Sequence, residues 1–205
     1  MIRILTICTG NVCRSPMAER LLQQKFDEIR PGLFEVRSAG IQALTGKPMD
    51  ARAEGLLHVL GGTSDGFVAR QLQEMHLANA DLVLAMGVEH RDRILNLMPR
   101  LLKRTFTVRE LARMVDAIAA DPEMDLPGGT SDDEVEYRWK RLPHLAALKR
   151  HHTRAADPLE DEIVDPYRQD DGVYRQMVHD LVPALDRLVD FERSYHQQAI
   201  PAKTT

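Results

Sequence analysis

The sequence predicts an α/β fold: a single domain with a mainly four-stranded parallel sheet flanked by helices, and a helical insertion. Two observations carry that expectation. Four short apolar, β-branched runs alternate with stretches of helical periodicity, the pattern of parallel strands joined by crossover helices. The first run, Ile2-Arg3-Ile4-Leu5-Thr6-Ile7, is followed by eight turn-forming residues and then by a helix opening near Pro16. That is the layout in which an open parallel sheet places its ligand beyond the carboxyl ends of its strands.

The elements follow in order. Residues 2–7 read as a buried strand, and residues 8–15 as the turn into a helix whose apolar positions are Met17, Leu21, Leu22, Phe26 and Ile29. Pro31-Gly32 ends that helix, and residues 33–38 alternate like a second strand. A loop then leads to a helix over 50–60, with Asp50 near its start and Gly61-Gly62 at its close. Arg70-Gln71-Leu72 precedes a short helix, residues 81–86 form a third buried strand, and 88–97 a helix ended by Pro99. Residues 103–108 predict a fourth, edge-like strand. An amphipathic helix over 109–120, a Pro/Gly/Asp/Ser loop over 121–133 and a charged helix over 134–152, crossed by Pro143, make up the insertion, about 109–160. The last helix starts near Asp171, with a core stripe of Tyr174, Met177, Val178, Leu181, Leu185, Leu188 and Val189. The domain is expected to span 1–196, with a frayed tail over 197–205.

The turn Cys8-Thr9-Gly10-Asn11-Val12-Cys13-Arg14-Ser15 carries the chemistry. A strand-to-helix turn offers unpaired backbone N–H groups and the positive end of a helix dipole, a seat for a phosphate-like dianion. Gly10 and Asn11 are residue types that accept the positive φ such a cradle demands. Inward N–H dipoles at Cys8 favour thiolate over thiol. Arg14 can grip two oxygens of a dianion with its planar fork, and Ser15 can hydrogen-bond the sulfur. The set describes a thiolate aimed at phosphorus. Cys8 and Cys13, five residues apart on a bent loop, could also join as a regulatory disulfide. Cys13 is equally read as a small packed residue that never reacts.

A thiolate displacing an ester oxygen from phosphorus needs an acid to protonate the leaving group and a base to activate water. Three Asp-Pro pairs compete: Asp121-Pro122, Asp157-Pro158 and Asp165-Pro166. The first two lie in polar, loop-like stretches. Asp165 follows the apolar pair Ile163-Val164, precedes Tyr167 and stands just before the last helix; Pro166 biases it to an extended conformation. His151-His152 lacks a third metal ligand at recognisable spacing and reads as a solvated helix end. The lone Trp139 reads as packing.

The stretch from Cys8 to Pro16 resembles the phosphate-binding loop of the low-molecular-weight protein tyrosine phosphatases, matching its C-x-G-N-x-C-R-S-P wording at every fixed position. Arg70-Gln71-Leu72 with the strand from Asp81, and Asp165-Pro166-Tyr167 with the last helix, are similar to further parts of that family. The resemblance implies Cys8 as nucleophile, Arg14 as the phosphate-binding and transition-state residue, and Asp165 as acid and then base. It also implies substrate contacts from Thr9, Gly10, Asn11, Val12, Cys13 and Ser15. Where many relatives carry Trp or Tyr as a wall for an aryl substrate, this chain has Leu44, readable as well as an apolar loop residue tucked inward; Tyr167 flanks the mouth. Arg168 departs from the Gly or second aromatic often found there. The implied activity is hydrolysis of phosphomonoesters, foremost phosphotyrosine in proteins, through a cysteinyl-phosphate, with a tyrosine kinase among candidate substrates. No cofactor or metal is implied.

Two other readings stand beside it. The family includes bacterial arsenate reductases on the same fold. With no cysteine after Cys13, only a version using an external small thiol fits. A non-catalytic phosphate- or phosphopeptide-binding module would require neither Cys8 nor Asp165. Composition narrows the partners. A net charge of −4 with scattered arginines gives no nucleic-acid footprint. No run of about 18 apolar residues or signal-peptide pattern points to a membrane or to export. Two cysteines in one loop make a disulfide framework implausible, so a cytoplasmic protein is expected.

Overall fold

A computed structural model describes residues 1–198 apart from 122 and 125. Its centre is a parallel sheet of β1 (Ile2–Cys8), β2 (Phe34–Gly40), β3 (Leu82–Ala85) and β4 (Thr105–Thr107), ordered β2-β1-β3-β4. Ile4 stands opposite Val36 on one side and Leu82 on the other, and Val83 opposite Thr105. Apart from Arg3, every residue of β1 is buried, which is why it reads as a nearly continuous apolar run. The chain winds from β1 to β2 on one side and later resumes at β3 on the other. The carboxyl end of β1 is therefore the topological switch point where such sheets hold ligands.

The period-two alternation of the strands divides the core into two layers. Ile4, Val36, Leu84 and Phe106 face α1 (Arg14–Ile29), α2 (Ala51–Val59), α5 (Val108–Ala119), α6 (Asp132–Lys149) and α7 (Asp171–Gln198). Leu5, Ile7, Val83 and Ala85 face α3 (Glu74–Asn79) and α4 (Val88–Leu97) through Leu77 and Ile94, with Leu101 of the 3-10 turn after α4 beside them.

Element boundaries depart from the sequence reading where side chains cap helices. β4 stops at Thr107 because the Thr107 hydroxyl accepts from Glu110 N at 3.1 Å, drawing Val108 into α5. The charged helix begins at Asp132 because Ser131 and Glu134 close a capping box. Residues 197 and 198 belong to the backbone of α7, and the rest of the expected frayed tail, 199–205, lies outside the described residues.

The helices after β4 share the sheet's own core. α5 lies against α7, and α6 crosses beneath the amino ends of the strands, with Trp139 edge-on to Phe26, Phe34 and Phe191 at 5.2, 5.1 and 6.1 Å. Beside it Arg138, fully buried, forms a two-pronged pair with Glu192 of α7 at 3.0 and 2.6 Å, and Trp139 Nε1 donates to the same carboxylate at 2.8 Å. The remaining donors of Arg138 go to the carbonyls of Pro127 and Gly129, so the loop before α6 is held as well.

Candidate active site

β1 delivers Cys8 to the edge of the sheet and α1 begins six residues later at Arg14, so the intervening residues must turn tightly. Asn11 makes the turn, at φ 55°. Its side chain is a strut: Nδ2 donates to Ser15 Oγ at 3.0 Å and to Ser38 Oγ at 2.8 Å, and Oδ1 accepts from Arg70 N at 2.8 Å. Ser38 in turn donates to the buried Glu19. This surrounding network over-determines a left-handed residue that would otherwise be strained. Gly10, expected to share that conformation, does not: of the loop residues only Asn11 has positive φ. The turn therefore needs one left-handed residue rather than two, and Gly10 lies in ordinary contact range of Val12 and Leu44.

The loop after β2 braces the cradle from outside. Gln42 N donates to Thr9 O at 3.0 Å, Leu44 N to Gly10 O at 2.9 Å and Asp50 N to Val12 O at 2.8 Å. Gly40 permits this approach, since a Cβ there would meet Thr9 O at 2.5 Å.

Cys8 Sγ lies 3.0 Å from Ser15 Oγ, a hydroxyl placed to donate to a thiolate. Arg14, only 5% exposed, spans from the cradle to the segment before α7. Its Nη1 donates to Ile163 O at 3.2 Å and its Nη2 stands 2.7 Å from Asp165 Oδ2. Asp165 Oδ1 accepts from Tyr167 N at 3.2 Å, and Ile163 N donates to Met86 O at 2.9 Å, tying the segment to the end of β3. A cavity of about 170 Å³ opens here, lined by Cys8, Thr9, Gly10, Val12, Cys13, Arg14, Gln42, Leu44, Asp165 and Tyr167. Asn11 and Ser15 stand fully buried behind it. Arg168, at φ 64°, lays its guanidinium 5.2 Å from the Tyr167 ring.

The other Asp-Pro aspartates sit elsewhere. Asp157 caps a short 3-10 turn by accepting from Leu159 N at 2.9 Å, and Asp121 pairs with Lys149, whose hydrogen bond lowers its pKa. His151 and His152 occupy an exposed turn after α6. Among the described residues no three His, Cys, Asp or Glu side chains are grouped to hold a metal. A roomier cavity of about 250 Å³ between β1, β2 and α3 is lined by Ser38, whose hydroxyl is taken up by Glu19, and its Arg3, Arg37 and Arg70 are paired with Glu35 and Glu19.

Two residues of the site have no mark in the sequence. His90 of α4 is buried and shares a 3.0 Å hydrogen bond between Nε2 and Thr9 Oγ1. Burial, and then the charge of Arg14, push its pKa down to about 4. Gln42 lines the mouth. Their positions depend on how α4 and the loop after β2 dock, and no local pattern announces that. Behind the cradle, Cys13 Sγ lies 4.0 Å from the Tyr174 hydroxyl. Burial, followed by the charges of Asp50 and Cys8, pushes the Cys13 thiol up to about 12.

Chains of similar sequence and shape are known. The family model for the low molecular weight phosphotyrosine protein phosphatases matches residues 3–141. A protein-arginine-phosphatase of Geobacillus stearothermophilus is 39% identical over 120 residues, 58% of this chain and 78% of that one. The low molecular weight protein-tyrosine-phosphatase Etp of Escherichia coli K12 is 38% identical over 102 residues, 50% of this chain and 66% of that one. Among solved structures, the YwlE arginine phosphatase of Geobacillus stearothermophilus superposes with a TM-score of 0.65 at 26% identity, covering 98% of this chain and 99% of that one. The low molecular weight protein tyrosine phosphatase of T. tengcongensis does so with the same score and identity, covering 93% and 99%.

Proposed function

Since this chain belongs to the low molecular weight phosphotyrosine protein phosphatase family, we propose that it hydrolyses phosphotyrosine in proteins through a cysteinyl-phosphate intermediate. The observation that carries the reading is Arg14, whose guanidinium stands between the cradle of Cys8 and the carboxylate of Asp165, 2.7 Å away. A phosphate seated on the N–H groups of the loop presents its phosphorus to Cys8 Sγ and its ester oxygen toward Asp165. The thiolate forms the S–P bond as the P–O bond breaks, and Asp165 gives its proton to the departing phenolate. Asp165, now a carboxylate, takes a proton from water, whose oxygen attacks phosphorus and releases phosphate and the Cys8 thiolate. Arg14 and the loop N–H groups hold the equatorial oxygens throughout, an electrostatic contribution of about 10²–10³ per donor in comparable sites.

The walls favour an aryl group. Val12, Leu44 and Tyr167 offer apolar surface to a phenyl ring, and Asp165 is the only carboxylate lining the cavity. A phosphoarginine leaving group carries several N–H donors that such walls leave unpaired, at a cost. Arsenate reduction with an external small thiol would use the same cradle and the same Cys8, and the assay below tells the two apart.

Purified protein assayed with phenyl phosphate, 2,4-dinitrophenyl phosphate, phosphoarginine, and arsenate plus a small thiol tests the reading. Hydrolysis of both aryl esters well above the phosphoarginine and arsenate activities is expected. Cys8→Ser should abolish it and still bind phosphate. Asp165→Asn should lose about 10²–10³ on phenyl phosphate, and far less on the dinitrophenyl ester, whose leaving group needs no proton. Activity retained by Cys8→Ser would end the covalent mechanism.

A further inference from the structure

We propose that Glu162 is the positioning residue for Asp165, its carboxylate fixing how far the acid-bearing segment reaches across the cavity. The inference rests on Asp165 being the acid, and it starts from a contact that a simple surface glutamate would not make. Glu162 Oε1 accepts from the N–H of Val88 at 2.8 Å. Val88 is the first residue of α4, and its N–H has no partner within the helix. The carboxylate therefore sits on the positive end of α4, where a negative charge is favoured.

Room for it is made by Gly87. A Cβ built on Gly87 would lie 1.8 Å from Glu162 Oε2 and 2.7 Å from Cδ. Gly87 has φ 175°, an extended conformation open to any residue, so glycine is needed here for space and not for backbone freedom. Val88 opens α4 two residues after Met86, which follows β3, and Met86 O accepts from Ile163 N at 2.9 Å. Glu162 O accepts from Arg109 Nη1 at 3.0 Å. Residue 162 is thus pinned by side chain to α4 and by its carbonyl to α5, and its neighbour Ile163 to the end of β3.

Two consequences run directly to the chemistry. Ile163 O, the next carbonyl, takes one prong of Arg14, and Asp165, three residues on, takes the other. Three extended residues reach only about 10 Å, so the placement of residue 162 bounds where the carboxyl of Asp165 can lie. The proton donor and the dianion-binding guanidinium both meet this segment, and the Glu162 carboxylate is its side-chain tie to α4. Misplacing a proton donor by about 1 Å is enough to cost an order of magnitude or more in rate.

The test separates this role from that of an ordinary helix cap by reading which substrate suffers. Measure kcat and KM on phenyl phosphate and on 2,4-dinitrophenyl phosphate for wild type, Glu162→Ala, Glu162→Gln, Gly87→Ala and Asp165→Asn. Glu162→Ala is expected to lose about tenfold or more in kcat on phenyl phosphate and less than about threefold on the dinitrophenyl ester. Glu162→Gln, which keeps an oxygen acceptor for Val88 N–H, should recover most of that loss. Gly87→Ala, which drives the carboxylate out without altering it, should reproduce the selective loss. Equal losses on both esters, no loss, or no recovery in Glu162→Gln would overturn the inference while a selective Asp165→Asn left the acid assignment standing. An unselective Asp165→Asn would remove the acid assignment, and the positioning role with it.

Discussion

The charge state of His90 gives a quantitative handle on how the cradle is held. Its imidazole is buried, bonded to Thr9 and exposed to the charge of Arg14, with a pKa pushed down to about 4 from an ordinary 6.5. Between these values the unfolded chain binds a proton that the folded protein refuses. Stability therefore rises with pH across that window: it is full above about pH 6.5, declines as pH falls toward 4, and levels off below. A difference of about 2.5 units at 1.36 kcal/mol each corresponds to about 3 kcal/mol. For a domain of ordinary stability that is a fifth or more of the total. His90→Gln, which can still bond Thr9 but cannot titrate, should flatten this part of the profile. Urea unfolding of both proteins at half-unit steps from pH 7 to 4 measures the difference, in which the carboxylate contributions common to both cancel. The imidazole proton resonances of His90 should titrate with a midpoint near 4. A midpoint near 6.5, or parallel stability profiles for the two proteins, would refute the account of His90 as a neutral brace.

Further expectations concern the two other buried groups. If Cys13 closes a disulfide onto oxidised Cys8, its thiol near 12 limits the supply of attacking thiolate, so disulfide formation after peroxide should quicken about tenfold per unit from pH 7 to 9. Wild type should then recover with dithiothreitol and Cys13→Ser should not; a pH-independent rate, or equal recovery, would exclude Cys13 as the resolving thiol. Arg138→Leu should cost about 3–5 kcal/mol by removing the guanidinium from the buried Glu192 carboxylate, which then keeps Trp139 and His196 as hydrogen-bond partners. Its kcat should be unchanged below the unfolding temperature, with Trp139 fluorescence as the monitor of unfolding.

The parts of the molecule legible in the sequence are those whose physics is local. The strand before Cys8, the Gly-Asn turn and the helix after it declare themselves in sixteen consecutive residues, because turn chemistry and periodicity act over that range. Asp165 was legible at a distance because Asp-Pro-Tyr carries an apolar approach and a stiff backbone of its own. His90 was not, since a histidine in a polar helix looks the same whether it faces water or Thr9. The sequence marks α6 only as a charged helix, and nothing in it tells that Arg138 is fully buried against Glu192, 54 residues further along the chain. A buried ion pair is invisible until both partners are placed, because each alone resembles a surface residue. Gly10 shows the opposite error: a residue type suited to left-handed backbone was read as using it, whereas Asn11 met the whole requirement.

The polarity of the sheet has a practical outcome. All four strands run the same way, so the chemistry gathers at one end, while α6 lies across the other, with Glu136 against the amino group of Met1 and Arg150 against Thr105 O. The seven residues of β1 put about 20 Å between them. A label, a fusion or an immobilising surface attached to the exposed face of α6, at Tyr137 or Leu148, would leave the catalytic mouth open to a macromolecular substrate. The same separation lets the outer face of α6 drift without touching turnover, so long as its inner face keeps Val135, Arg138, Trp139, Leu142 and Ala146 packed.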